Sequence, residues 1–436
     1  SYTYSYDKNN LPLSETDPLG GTTTRTYSPT GYVTTITDAL QGVMEYTYDE
    51  NDNIISVKDA MDFVVSYEYD KLNRVVAATD ANGNVTRFAY DGNSNLTTVT
   101  NPDGSIEAHV YDLNDQLVLF RDGEDFDTRY AYDENGNLIK VTDARGYETI
   151  TKYDALNRPI VMVNEDGGRV ELTYDKLGRV TKAVNEDGAV TEYTYDAKGR
   201  TVSIKDALGT FRHFEYDAMD RVTADVDENG VRRTYTYDAK GNLTGYTDGL
   251  GNSEAYTYDA NDRLTSITNK NGKVYTYEYD ALNRVISETD PHGNSKTFAY
   301  DANGRITAVT DRNGGTVRYV LDGNGNIVES IDELGHSSYF EYDAMNRLVT
   351  VRLRRIDTNH TVDEWQETLY TYDARGLVKT EVNAKGDGKV LVYDGNGYLI
   401  QMTDEDGNVT EYEYNGRNLV SAVNYSDGKS ATYLYN

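Results

Sequence analysis

Tyr300-Asp301-Ala302-Asn303-Gly304-Arg305-Ile306-Thr307-Ala308-Val309-Thr310-Asp311 carries most of one structural unit. Phe298 and Tyr300 flank Ala299, so alternate residues place aromatic rings on one side of a strand. Asp301 opens a turn: its carboxylate can accept from nearby backbone amides, and Asn303-Gly304 suits positive φ. Ile306 begins a second strand. Its inward partner, Val309, follows three residues later rather than two, which predicts a bulge or a change of face. Asp311 then opens a second turn, with Gly314 three residues on.

Stepping outward, the tyrosine recurs every 21 residues, back through Tyr279 and Tyr258 to Tyr6 without a slip. Forward, Leu321 takes the next slot and Tyr342 the one after. The register then jumps by 30 to Tyr372 and resumes with Tyr393, Tyr414 and Tyr435. A fixed period this long makes the chain an array of one supersecondary unit. The fold class is all-β: a continuous antiparallel meander of about twenty 21-residue hairpins, one array over residues 1–436. About forty strands at ~4.8 Å make a ribbon of roughly 190 Å. Accumulated twist forces such a ribbon to coil into a spiral. Its tyrosine-rich face then needs cover from the next turn of the coil, an enclosed space, or a partner.

Composition supports an ordered chain. The 40 Tyr outnumber the single Trp, and with the β-branched residues they supply buryable area that disordered chains lack. A net charge of −31 opposes binding to nucleic acid or to anionic membranes. There is no Cys, so disulfide and thiolate chemistry are excluded. No apolar run approaches 18 residues, and Ser1 opens directly into strand-like sequence, so the chain reads as a piece of a longer protein. Strands at Ser1 and Asn436 would present open edges, which predicts end-to-end association.

The pattern Tyr-Asp, Gly-Arg or Gly-Asn, then Leu/Val-x-x-Val-Thr-Asp-x-x-Gly resembles the YD repeats of the Rhs family. Tyr195-Asp196-Ala197-Lys198-Gly199-Arg200 and Tyr237-Asp238-Ala239-Lys240-Gly241-Asn242-Leu243 carry it, as does the stretch quoted first. The resemblance covers essentially the whole chain and implies a sheet that spirals into a hollow shell. In bacterial Rhs proteins and toxin-complex subunits such a shell encloses a toxin; in teneurins a similar one serves adhesion. It therefore implies a secreted or cell-surface protein that sequesters a polypeptide cargo, or neighbouring domains of its own chain. An adhesive or glycan-binding surface is the alternative. The closing motif of self-cleaving relatives has no counterpart here, since Asp17-Pro18-Leu19-Gly20 is an ordinary second turn.

Sites for chemistry are sparse. The five histidines fall in different repeats without metal-ligand spacing, and the Asp residues recur at turn positions, where turn geometry explains them. Calcium-loop motifs, nucleophile elbows and phosphate loops are missing, so no catalytic, cofactor or metal residue is expected. The individual stretch is 351–365, where nine extra residues break the register. It reads either as a lengthened hairpin or as an interaction loop using Arg352, Arg354, Arg355 and Trp365, residue types favoured at contacts.

Overall fold

The computed structural model describes residues 1–356 and 363–435; residues 357–362, Asn436 and the side chains of Arg355, Ile356 and Asp363 lie outside the described residues. One antiparallel sheet of 41 strands runs from β1 (Thr3–Tyr6) to β41 (Ser430–Thr432). Strands contact only their sequence neighbours, and no helix occurs among the described residues.

The hairpin of β5 (Val43–Tyr48) and β6 (Ile54–Lys58) is representative. Tyr48 faces Ile54 and Thr47 faces Ser56, which leaves Ile55 as an unpaired bulge. The same shift falls beside the tyrosine of the unit quoted first, between Ala299 and Tyr300. The bulge resolves the odd spacing. It puts Ile54 and Val57 on the face of Tyr46 and Tyr48, and leaves Glu45, Thr47, Ser56 and Lys58 on the other. Bulges raise local twist and bend the strand. One per hairpin, always in the same place, turns a ribbon into a coil.

Both turns share one geometry. Asp301 N–H donates to the Arg305 carbonyl (2.9 Å) and Gly304 N–H to the Asp301 carbonyl (3.1 Å); Asp311 repeats this with Gly315 and Gly314. Oδ1 of Asp301 accepts from the amides of Asn303 and Arg305 at 3.0 and 2.9 Å. The residue two before the second strand takes a left-handed conformation, φ 83° at Gly304 and 59° at Asn73, which explains the Gly/Asn/Asp preference there.

The register tyrosine has a specific task. Neighbouring hairpins pair over three residues near the second turn, such as Thr35–Thr37 of β4 (Val33–Thr37) with Val43–Glu45, and splay apart toward the first. There the Tyr48 hydroxyl donates to the Val33 carbonyl at 2.7 Å, and Tyr300 does the same to Val285. The bond recurs through Tyr435. Phenylalanine would fill the same volume without making it. Leu321 has no donor for the matching Ile306 carbonyl. Leu321→Tyr is therefore expected to add about 1 kcal/mol, read as a higher midpoint in calorimetry. An unchanged or lower midpoint would remove the hydroxyl from the argument.

Arginine five residues after the tyrosine ties one hairpin to the next. Arg284 Nε donates to Asp280 Oδ2 (2.6 Å) and Nη1 to the Asp301 carbonyl (3.2 Å). Its guanidinium lies 4.5 Å from the Tyr300 ring centroid. Where Asn replaces Arg, as at Asn53, the amide bridges Asp49 and Asn73, each at 2.9 Å.

The sheet is a single layer. Among the described residues its buried apolar side chains are Ala77, Val161, Ala224, Ala422 and Val423, so stability comes from neighbouring strands rather than a packed second sheet. The ribbon instead returns to meet its own edge. Asn261 reaches Asp17 and Asn303 reaches Asp59, both 244 residues away. Strands β3 (Thr22–Tyr27) to β25 (Ser253–Tyr258) thus complete one lap. At ~4.8 Å per strand that is a circuit of roughly 110 Å, a ring roughly 35 Å across. Of the three ways to cover the tyrosine face, the next turn of the coil is ruled out among the described residues, because laps meet edge to edge.

Candidate functional site

The seam between laps is built from the two kinds of turn. The residue three after a second-lap tyrosine meets the Asp eleven after a first-lap tyrosine. Asn261 Nδ2 donates to Asp17 Oδ2 (2.8 Å), Asn303 to Asp59 (2.6 Å) and Asn324 to Asp80 (2.7 Å). Asn324 Oδ1 also accepts from the Ala81 amide (3.1 Å), and Asn82 reaches back to Asp322 (2.9 Å). Further on arginines also donate: Arg347 to Asp103 at 3.1 Å and Arg417 to Asp166 at 2.6 Å. Arg375 lies 4.8 Å from the Phe126 ring centroid. Leu282 breaks the pattern opposite Asp38, and there an opening of about 450 Å³ is lined by Asp38, Met44, Ala60, Leu282 and Arg305.

Arg145 is the most enclosed cation of the seam. It sits between the rings of Tyr147 (4.7 Å) and Tyr398 (5.3 Å), with Glu165 at 3.4 Å, Asp394 at 3.6 Å and Asn418 in contact. Burial, then the negative charge of Asp143, raises the Glu165 carboxyl above its usual range. Beyond the register break Asn396 meets Asp143 at an offset of 253 rather than 244 residues. The rise equals the nine extra residues, so the insertion leaves the seam in step.

A second cluster interrupts the aliphatic row of the tyrosine face. Asp225 occupies the slot held by Val99, Val141 and Ile204 in other repeats, and is only 2% exposed. Its carboxylate accepts from Arg212 Nη2 (3.0 Å), Arg233 Nη1 (3.1 Å) and the Tyr235 hydroxyl (2.9 Å). Arg233 also reaches Asp227 at 2.9 Å. Burial, then the bond to Asp225, pushes Tyr235 up to about 12.

Strands β34 (Leu348–Ile356) and β35 (Asp363–Tyr372) hold the residues singled out from the sequence. They pair without a bulge as far as Ile356 and Asp363. Arg352 bridges Glu367 (2.6 Å) and Glu341 (3.0 Å). The Trp365 ring lies 5.6 Å from that of Tyr339 and is half exposed. Arg354 pairs in register with Trp365, while the Arg355 side chain lies outside the described residues. Among the described residues no three His, Asp or Glu side chains are grouped to hold a metal ion. His109 packs on Phe120, and His336 lies against Asp332.

A one-layer coil of hairpins, bonded to itself along its edges, is the class of protein these features define. The chain belongs to the RHS-repeat family, whose profile matches it in overlapping segments spanning 6–43, 48–106, 111–253, 258–337 and 393–430. A comparison with curated proteins finds no match. Among solved structures it is similar to TcdB2-TccC3-Cdc42, with 14% identity, a TM-score of 0.56, all of this chain and 31% of the other covered. The Photorhabdus luminescens Tc holotoxin pore carrying TccC3-D651A matches with 14% identity, a TM-score of 0.56, and 97% and 29% covered. TcdB2-TccC3 without its hypervariable C-terminal region gives 14%, 0.55, 97% and 30%. The chain thus spans about a third of the length of the chains it resembles, and at this identity the likeness is one of fold.

Proposed function

We propose that this chain is a wall segment of a YD-repeat shell: a non-enzymatic part of a longer secreted or cell-surface protein that encloses a polypeptide cargo. The observation that carries the reading is the seam. A single-layer sheet makes a wall only if its edges are joined, and donors such as Asn261, Asn303 and Asn324 join them through side chains. The lap leaves a ring roughly 35 Å across at the backbone, a scale suited to a polypeptide rather than a small substrate. The family and the toxin-complex folds agree with this role.

The test is protease protection in the full-length protein. The enclosed segment should resist a protease that cuts it when expressed alone. Combined Asn303→Leu and Asn324→Leu should shorten its lifetime about thirtyfold, because some 2 kcal/mol of seam hydrogen bonding is lost. Equal digestion with and without the shell would end the reading. Glycan-array binding abolished by tyrosine-to-alanine changes on one face would favour the adhesive alternative.

A further inference from the structure

With one exception, a carboxylate on the first-lap side of the seam faces a donor on the second-lap side. Asp17 meets Asn261, Asp59 meets Asn303, Asp80 meets Asn324, Asp143 meets Asn396, and Asp122 lies 4.0 Å from Arg375. Where the second-lap residue is the aliphatic Met345, the first-lap residue is the uncharged Asn101. The exception is Asp38, an anion that faces Leu282.

This mismatch leaves both a charge and a space. Asp38 Oδ1 accepts from the amides of Leu40 and Gly42, each at 2.8 Å, while Oδ2 accepts from no donor among the described residues. At Asp17, Asp59 and Asp80 it is Oδ2 that takes the amide from across the seam. The opening beside Asp38, about 450 Å³, has the size of a small-ligand cleft (~300–1,000 Å³). Ile36, Met44, Ala60 and Leu282 give it apolar walls. Its other charged groups already have partners: Asp59 takes Asn303, and Arg305 binds Asp301 and the Asp322 carbonyl. Two carboxylates against one guanidinium leave the lining one net negative charge. A half-buried carboxylate oxygen without a donor favours a cation, and the aliphatic walls favour a hydrocarbon stem behind it.

We propose that the Asp38–Leu282 opening binds a primary ammonium group on a short hydrocarbon stem, carried by a small alkylamine or by a lysine side chain. The ammonium donates to Asp38 Oδ2 in place of the missing seam amide, and the stem lies along Met44 and Leu282. Intact pairs at Asp17 and Asp59 flank the opening, so it belongs to the interior of the seam and not to either end of the ribbon.

The test titrates n-butylammonium and the blocked peptide acetyl-Gly-Lys-Gly-amide against the whole chain by ligand-observed NMR. About 0.15 M salt screens the charge of −31. n-Butanol and the Nε-acetylated peptide are the neutral counterparts. At least one ammonium probe should bind, with its neutral counterpart at least about fivefold weaker, the worth of one exposed ion pair. Asp38→Asn should weaken the ammonium by a similar factor. The turn tolerates that change, since Asn185 holds the same turn with Oδ1 accepting from Asp187 and Ala189 at 3.1 and 2.7 Å. Leu282→Asn supplies the amide found elsewhere in the seam and should abolish binding. Asp311→Asn, at a second turn outside the seam, should leave it unchanged. Binding of butylammonium alone assigns the opening to free amines, and binding of the peptide as well assigns it to lysine side chains. Failure of both probes to bind would overturn the proposal. So would binding that Asp38→Asn leaves intact, or that Asp311→Asn reduces equally, which is the mark of general attraction to an acidic surface.

Discussion

Asp225→Val is expected to lower stability by about 2 kcal/mol, while Arg212→Thr, Asp225→Val and Arg233→Thr together should bring it back to within about 1 kcal/mol of the parent. The single change strands two guanidinium groups and the Tyr235 hydroxyl that now converge on one carboxylate. The loss falls below the ~3–5 kcal/mol of a fully buried pair because both arginines keep contact with water, with side chains 40% and 31% exposed. The triple change installs what other repeats already use, Thr as at Thr149 and Thr191 and Val as at Val99 and Val141. Thermal unfolding of the two variants decides the matter. Equal losses would mean that the cluster contributes more than mutual compensation.

The second large effect is expected from pH. The Asp70 carboxylate accepts the Arg74 amide and holds its pKa below the ordinary aspartate value. At Asp80 burial pushes upward, but bonds from Asn84 and, across the seam, Asn324 outweigh it, and the net shift is down. Asp17 behaves alike, with Asn261 as the cross-seam donor. A folded pKa below the unfolded one means that the unfolded chain binds more protons. Stability from these groups is therefore complete above the unfolded value near 4 and is lost as pH falls through the folded values. Glu165 runs the other way, since its raised pKa weakens the seam at neutral pH. At the alkaline limit burial raises tyrosines such as Tyr48, Tyr69 and Tyr342 above 10. Their contribution is complete below pH 10 and lost as pH rises through the folded values. Thermal midpoints should form a plateau from about pH 5 to 9, with a steep acid limb below pH 4 and an alkaline limb above pH 10. A midpoint flat down to pH 2.5 would show that the repeated turn carboxylates do not stabilise the fold.

The hairpin was legible because each determinant lies within a few residues of its partner. The aromatic–x–Tyr alternation, the Asp turn and the three-residue step from Ile54 to Val57 each have a local physical cause, and the bulge at Ile55 is the one that step required. The hydroxyl bond from Tyr48 to Val33 was less accessible. The period alone demands a large half-wet ring at that position, and only the splaying of adjacent hairpins demands a donor. The Asp225 cluster left a trace in the sequence, an acid in an aliphatic slot flanked by arginines, but its burial belongs to the folded sheet.

By itself the sequence determined the repeating unit, its two turns, the bulge and the necessity of coiling, because these follow from chain-local stereochemistry repeated every 21 residues. Tertiary structure alone decided which hairpin meets which. The lap length is a sum of small bends over β3 to β25, and a degree of difference in each would move Asn303 away from Asp59. A local code repeated identically cannot specify a sum of its own curvatures, so the seam and its donors at Asn261, Asn303 and Asn324 come into view only in the folded coil.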